Sequence, residues 1–174
     1  MQLDPLLVTP TISFVIAIIL LLVFSFFDIK ERKVSNGVLL AGGLVGCVVS
    51  ILTGQLFGRL VLYISALTFV LALSYLLFRL GALGGADVKA LLVVTITSPG
   101  LVYGHWENQI YEGVMISAIE VLVMILLGYS YWMIHQHSSR TSSGKRTVPL
   151  LPLLLGGYMV VQMFPFISQI LLVS

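Results

Sequence analysis

Apolar stretches about as long as a membrane-spanning helix fill most of this chain, and they limit its fold more than any other feature. A helix needs about 20 apolar residues to cross ~30 Å of hydrocarbon, and in lipid every backbone polar group must be paired internally. The stretches, separated by short polar breaks, are residues 11–27, 37–56, 60–78, 87–103, 113–134 and 148–174. The sequence therefore predicts an all-α bundle of about six transmembrane helices, forming one integral-membrane domain over residues 1–174.

The composition excludes a water-soluble domain. Hydrophobic residues make up 59% of the chain and charged residues 9%, whereas a soluble domain carries about 25% charged residues. The single cysteine, Cys47, excludes a disulfide framework and a cysteine-based zinc site. The sequence also contains no phosphate-binding loop and no nucleic-acid motif. We therefore expect a lipid bilayer around the protein, no nucleic-acid partner, no cofactor and no metal.

Basic residues concentrate in alternate breaks and predict the orientation of the chain. Cytoplasmic loops carry an excess of lysine and arginine. Eight of the nine basic residues fall at the first, third and fifth breaks: Lys30, Arg32, Lys33, Arg79, Lys89, Arg140, Lys145 and Arg146. Only Arg59 falls on the other side. This pattern predicts that those three breaks are cytoplasmic and that the N-terminus and the C-terminus are both outside.

Three acidic residues lie beside or within the apolar stretches, where a carboxylate is costly and is therefore a functional candidate. Asp28 ends the first stretch, Asp87 opens the fourth and Glu120 lies inside the fifth. The predicted topology places Asp28 and Asp87 at the same cytoplasmic edge. Two adjacent carboxylates share one proton, which leaves a base and an acid that can activate water against a peptide bond. The helix dipoles favour the proton on Asp28 and the anion on Asp87.

Other interpretations of these acids stay open at this point. Asp87 at a helix N-terminus can serve simply as a cap. A proton-coupled transporter or channel would use Asp28, Asp87 or Glu120 as relay groups, although the sequence shows no clear internal repeat. A non-catalytic membrane scaffold would need none of them. We expect Glu120 to form hydrogen bonds inside the bundle. Lys89, about 200° round a helix from Asp87, should point away from the pair.

Two segments of the chain resemble the catalytic motifs of a known family. FDIKERKVSN (27–36) resembles the first motif of type IV prepilin peptidases and preflagellin peptidases, and GALGGADVKALL (81–92) is similar to their second, written GxGD with a following lysine. VPLLPLLLGGY (148–158) is similar to the start of their last helix. Ala86 replaces the second glycine of GxGD, and alanine disfavours positive φ. This form resembles the archaeal members.

The resemblance implies a GxGD-type membrane aspartyl endopeptidase in which Asp28 and Asp87 are catalytic. Its substrates would be membrane-inserted type IV pilin-like or archaeal flagellin-like precursors, which lose a short leader at the cytoplasmic face of the cell membrane. Full-length bacterial relatives carry a cysteine-rich insert and a methyltransferase activity. The short first break and the single cysteine leave no room for that insert. We therefore expect peptidase activity alone.

Overall fold

Helices are the regular secondary structure of the described part of the protein. The computed structural model describes residues 5–31, 34–101, 106–138 and 150–173, and these ranges contain no strand. Its helices are α1 (Pro5–Glu31), α2 (Asn36–Leu52), α3 (Gln55–Gly58), α4 (Leu60–Arg79), α5 (Gly85–Thr97), α6 (Gln109–Ser138) and α7 (Leu150–Val173). The predicted all-α class is thus confirmed.

Three of the helices are long and apolar enough to cross a membrane: Thr11–Glu31 of α1, α4, and Gln109–Ile134 of α6. Helix α2 and the segment Leu150–Pro165 of α7 are shorter apolar helices. These lengths and compositions fit a membrane helix bundle. The count of six spans and the placement of both termini outside remain predictions.

Helix α5 is shorter than the apolar stretch that predicted it. It ends at Thr97, and Ser98 adopts an extended conformation with φ −152°. The cause is Pro99, because a proline disfavours helical backbone in the residue before it. With 13 residues, α5 is about 20 Å long and does not cross ~30 Å of hydrocarbon by itself.

Helix α7 tolerates its prolines. Pro152 lies in the first turn, where a missing N–H breaks no intrahelical bond. Pro165 lies inside α7, and the helix continues to Val173. Neither of these prolines interrupts α7, and Pro149 lies outside the described residues.

The short helix α5 forms the centre of the bundle. It packs against α1, α2, α4 and α7. Ala90, Leu91 and Val94 are almost fully buried in the main core, together with Phe24 of α1. The part of α5 from Ala90 onward is therefore held by its neighbours, whereas the first turn is only partly buried.

Small residues bring α2 close to its neighbours, as the Gly42 and Gly46 spacing predicts. Gly42 lies against the ring of Phe24, where an added methyl carbon would be 2.5 Å from Cζ. A methyl at Gly46 would collide with the hydroxyl of Thr97. Ser50 of α2 also donates a hydrogen bond of 2.7 Å to the carbonyl of Ile96. Helix α2 therefore contacts α1 through one glycine and α5 through the other.

Substituting Gly46 with alanine should destabilise the protein. The new methyl would displace the buried Thr97 side chain, which donates a hydrogen bond of 2.8 Å to the Val93 carbonyl. Overpacking of this kind costs about 1–3 kcal/mol. Thermal unfolding in detergent should show a lower Tm for Gly46→Ala than for Gly58→Ala, which would place its methyl in open space. Equal Tm values would contradict the close α2–α5 contact.

Candidate active site

Asp28 lies near the C-terminal end of α1 and contacts the beginning of α7. The N–H of Leu151 donates a hydrogen bond of 3.3 Å to Oδ2 of Asp28. The first N–H groups of a helix have no partner within that helix, so a carboxylate is a favourable acceptor for them. The contact joins the first motif to the proline-containing segment that starts the last helix. Asp28 itself is half-buried.

Asp87 lies in the first turn of α5 and is held by its own turn. The N–H of Gly84 donates a hydrogen bond of 2.9 Å to Oδ2 of Asp87. A β-carbon at position 84 would lie 2.8 Å from that same oxygen. Glycine at this position therefore lets the carboxylate fold back over the start of the helix. The same contact fulfils the expectation that Asp87 can act as a cap.

The alanine in place of the second glycine is compatible with this turn. Ala86 is a helical residue of α5, so it needs no positive φ. Among the described residues the glycines with positive φ are Gly54 and Gly81, at 69° and 75°. The left-handed residue near the second motif is thus Gly81, whereas Gly84, the first glycine of GxGD, has φ −79°. The conformational objection to Ala86 does not apply.

The structure brings the two aspartates to the same end of the bundle. The pKa of Asp87 is raised to about 6. Burial makes the largest contribution, the hydrogen bond from Gly84 opposes it, and the charge of Asp28 adds to it. The two carboxyl groups therefore lie within range of each other's charge. Burial also outweighs the helix dipole, which by itself would favour the anion of Asp87.

Each carboxylate is oriented by a backbone N–H group. The donor to Asp28 comes from the start of α7, and the donor to Asp87 comes from its own turn, directly before α5. Two carboxyl groups at the same end of the bundle can divide the roles of acid and base between them. The arrangement is therefore chemically suited to general acid–base hydrolysis.

The comparison with known families settles the class of this protein. Its sequence matches the model of the type IV leader peptidase family over residues 15–133. The chain belongs to that family. Searches of curated proteins and of solved structures gave no match.

Membership makes this chain a protease of the leader-peptidase type. The matched range contains Asp28 and Asp87 with their surrounding motifs. Helix α7 lies beyond it, so the part that α7 plays at the site rests on the contact between Leu151 and Asp28.

The third acid, Glu120, lies apart from the aspartates of the leader peptidase. It is buried in α6 and forms a hydrogen bond with Gln162 of α7. Gln162 also donates a hydrogen bond of 2.9 Å to the carbonyl of Gly100, which follows α5. Since Asp87 is at the start of α5 and Gly100 is beyond its end, Glu120 belongs to the opposite half of the bundle. The expected hydrogen bond within the bundle is thus observed.

Lys89 is exposed and contacts the start of α2. Its Nζ donates a hydrogen bond of 2.6 Å to Oδ1 of Asn36, the first residue of α2. The bond links the second motif of the leader peptidase to the last residue of the first motif.

Glu112 has a structural role that the sequence did not reveal. Its side chain is 1% exposed, and its two carboxylate oxygens accept hydrogen bonds of 3.2 Å each from the N–H groups of Leu101 and Trp106. Both donors precede Glu112 in the chain. The sequence feature that could have indicated this role is an acidic residue in the first turn of a helix, directly after a polar segment.

The described residues contain no cluster of three or more His, Cys, Asp or Glu side chains that could hold a metal ion.

Proposed function

We propose that this protein is a membrane aspartyl endopeptidase that removes the short cytoplasmic leader of prepilin- or preflagellin-like precursors. Asp28 and Asp87 would activate the water that attacks the peptide bond. The proposal is supported most strongly by the position of the two aspartates, which come from separate helices, at the same end of the bundle, where the charge of Asp28 contributes to the raised pKa of Asp87. The family match supports the leader-peptidase class independently.

In the proposed mechanism the two aspartates share one proton. In the active form we assign it to Asp87, whose pKa is raised to about 6, and we assign the role of base to Asp28, opposite to the division that the helix dipoles alone would favour. Asp28 takes a proton from water as the water oxygen attacks the scissile carbonyl carbon, while Asp87 protonates the carbonyl oxygen. Asp28 then gives its proton to the leaving amine as the C–N bond breaks, and Asp87 recovers its own from the tetrahedral intermediate. One water is consumed and both aspartates return to their starting states.

The depth of the site suits a substrate with a hydrophobic helix and a short polar leader. Asp28 follows the apolar part of α1, and Asp87 precedes that of α5. Both therefore lie at an end of the bundle, and the charge pattern predicts that this end is cytoplasmic. A precursor whose helix lies in the bilayer would present the junction between leader and helix at this level.

The proposal is tested by offering the purified protein two membrane-inserted substrates. One is a prepilin-like precursor with its leader, and the other is the same chain beginning at the mature N-terminus. Intact-mass analysis should show loss of the leader from the first and no change in the second. An uncleaved precursor, or cleavage within the part of the precursor beyond its membrane helix, would contradict the proposal.

The proposed division of roles makes a definite pH prediction. An acid with a raised pKa is protonated below that value and loses its proton above it, so the active form with Asp87 protonated is depleted as the pH rises through about 6. The rate of cleavage should fall toward a limit of about tenfold per pH unit above that point. A pH profile of kcat/KM in detergent measures this. A rate that increases through pH 6 would make ionised Asp87 the base instead.

A further inference from the structure

The hydrogen bond between Lys89 and Asn36 joins the two segments that carry the candidate catalytic residues. Lys89 follows Asp87 by two positions in the first part of α5. Asn36 begins α2, directly after the turn that leads away from Asp28. The Nζ–Oδ1 distance of 2.6 Å indicates a short bond from a charged donor. Both side chains are exposed, and the feature that distinguishes this bond is that it joins the two motif segments.

The segment around Asn36 is itself anchored to the bundle. Val34 is buried in the main core, which also contains Ala90 and Leu91 of α5. The hydroxyl of Ser35 accepts a hydrogen bond of 3.4 Å from the N–H of Val38 and so caps α2. Asn36 therefore presents its amide oxygen from a fixed point, and Lys89 binds to an anchored acceptor.

The positions of Asp87 and Lys89 on α5 couple this bond to the orientation of the Asp87 side chain. Two positions along a helix correspond to a rotation of about 200°, so the two side chains leave α5 on nearly opposite faces. Asp87 faces the region of Asp28, and Lys89 faces the start of α2. Any rotation of α5 about its own axis that moved the Asp87 carboxyl relative to Asp28 would also move Lys89 away from Asn36.

We infer that Lys89 and Asn36 form a positioning pair that fixes the rotation of α5 and thereby the placement of the Asp87 carboxyl relative to Asp28. The inference rests on the proposed function, since it assigns the pair a role in that catalytic site. Lys89 and Asn36 touch neither the substrate nor the reacting atoms. They act through Asp87.

A double-mutant cycle with Lys89→Met and Asn36→Ala tests the pair. Displacing a catalytic group by about 1 Å can cost up to ~100-fold in rate, so each single variant should lower kcat by about tenfold with KM nearly unchanged. The double variant should be no slower than either single one, because both changes remove the same bond. Asn36→Asp should retain nearly wild-type kcat, because its carboxylate also accepts a bond from Lys89.

The matched control is Arg79→Met, which removes a basic residue at the same end of the bundle, from the exposed last turn of α4. It should cleave at the wild-type rate. A loss in Arg79→Met equal to that in Lys89→Met would assign the effect to membrane orientation and overturn the pair. Wild-type kcat in Lys89→Met, or additive losses in the cycle, would overturn it as well.

Hydrogen exchange of the same proteins separates failure of the pair from failure of the proposed function. Peptides covering residues 84–91 should exchange faster in Lys89→Met and in Asn36→Ala, to the same extent in the double variant, and at the wild-type rate in Arg79→Met. If the wild type does not cleave the precursor, the proposed function fails. A positioning pair is then supported by faster, non-additive exchange and overturned by unchanged exchange.

Discussion

Replacing either aspartate with asparagine should abolish cleavage without unfolding the protein. Asparagine keeps the size of the side chain but cannot exchange a proton with water or with the leaving amine. In proteases, removing one residue of a cooperating catalytic group lowers the rate by about 10⁴-fold or more. Asp28→Asn and Asp87→Asn should each reach this loss in a single-turnover assay. The double variant should be little slower than either, because the two carboxyl groups act together.

The stability of the same variants distinguishes a catalytic role from a structural one. Burial raises the pKa of Asp87 above its value in the unfolded chain, so ionisation of this group at pH 7.5 lowers the stability of the folded protein. Asp87→Asn removes that ionisation and keeps an oxygen that can accept the N–H of Gly84. Its Tm should therefore equal or exceed the wild-type Tm at pH 7.5. A large decrease would show that Asp87 serves mainly as a helix cap.

Glu31→Gln is the matched control for this experiment. Glu31 is an exposed acid at the end of the same helix as Asp28. Its substitution removes the same charge from the same end of the bundle, so both kcat and Tm should stay at the wild-type values. A loss of cleavage in Glu31→Gln similar to that in Asp28→Asn would indicate a general effect of charge at this edge.

Glu112→Gln should cause the largest loss of stability among conservative changes at the other end of the bundle. The carboxylate accepts two backbone N–H groups, from Leu101 and from Trp106. The glutamine amide offers one acceptor oxygen and turns an NH₂ group toward the second N–H donor. A buried donor left without its acceptor costs about 1–3 kcal/mol, and more where the acceptor was charged. Thermal unfolding in detergent should show a markedly lower Tm.

Glu107→Gln provides the comparison for Glu112. Glu107 lies in the same polar segment and is exposed, so the substitution should change Tm little. Cleavage by Glu112→Gln, measured well below its Tm, should stay close to wild type, since Glu112 is remote from Asp28 and Asp87. Equal Tm values for the two variants would contradict the role of Glu112 in holding the segment before α6.

The helical class and the candidate site residues follow from short-range properties of the sequence. Apolar length alone indicates the long helices α1, α4 and α6, because lipid leaves the backbone no other partners. Asp28 and Asp87 attract attention because a carboxylate beside a membrane span is costly. The motifs around them indicate the leader peptidase family, and the family match confirms it.

The contacts among the three motifs could not be predicted, because each depends on how helices pack. Nothing in the spacing of Asp28 and Leu151 shows that the start of α7 would donate a bond to the end of α1. The hydrogen-bond partner of Lys89 could not be predicted either, since helix geometry gives the direction of a side chain but not the residue that it contacts. The relation between Ala86 and its turn required the backbone conformation itself.

The two errors of sequence reasoning have physical causes. The fourth apolar stretch was extended past the end of α5 because hydropathy does not register the helix-breaking effect of Pro99 on Ser98. Glu112 was not singled out because its segment is polar, whereas its carboxylate is buried against backbone N–H groups. A polar residue near a helix end can satisfy the backbone inside the protein as well as face water.

The most direct test of the central claim is cleavage of one membrane-inserted precursor by wild type, Asp28→Asn and Asp87→Asn in parallel, at equal protein concentration. The mass and the new N-terminus of the product are measured. We predict that the wild type releases the leader at the junction with the hydrophobic helix and that neither variant yields product. Product formed by either variant would remove that aspartate from the mechanism and contradict the proposed dyad.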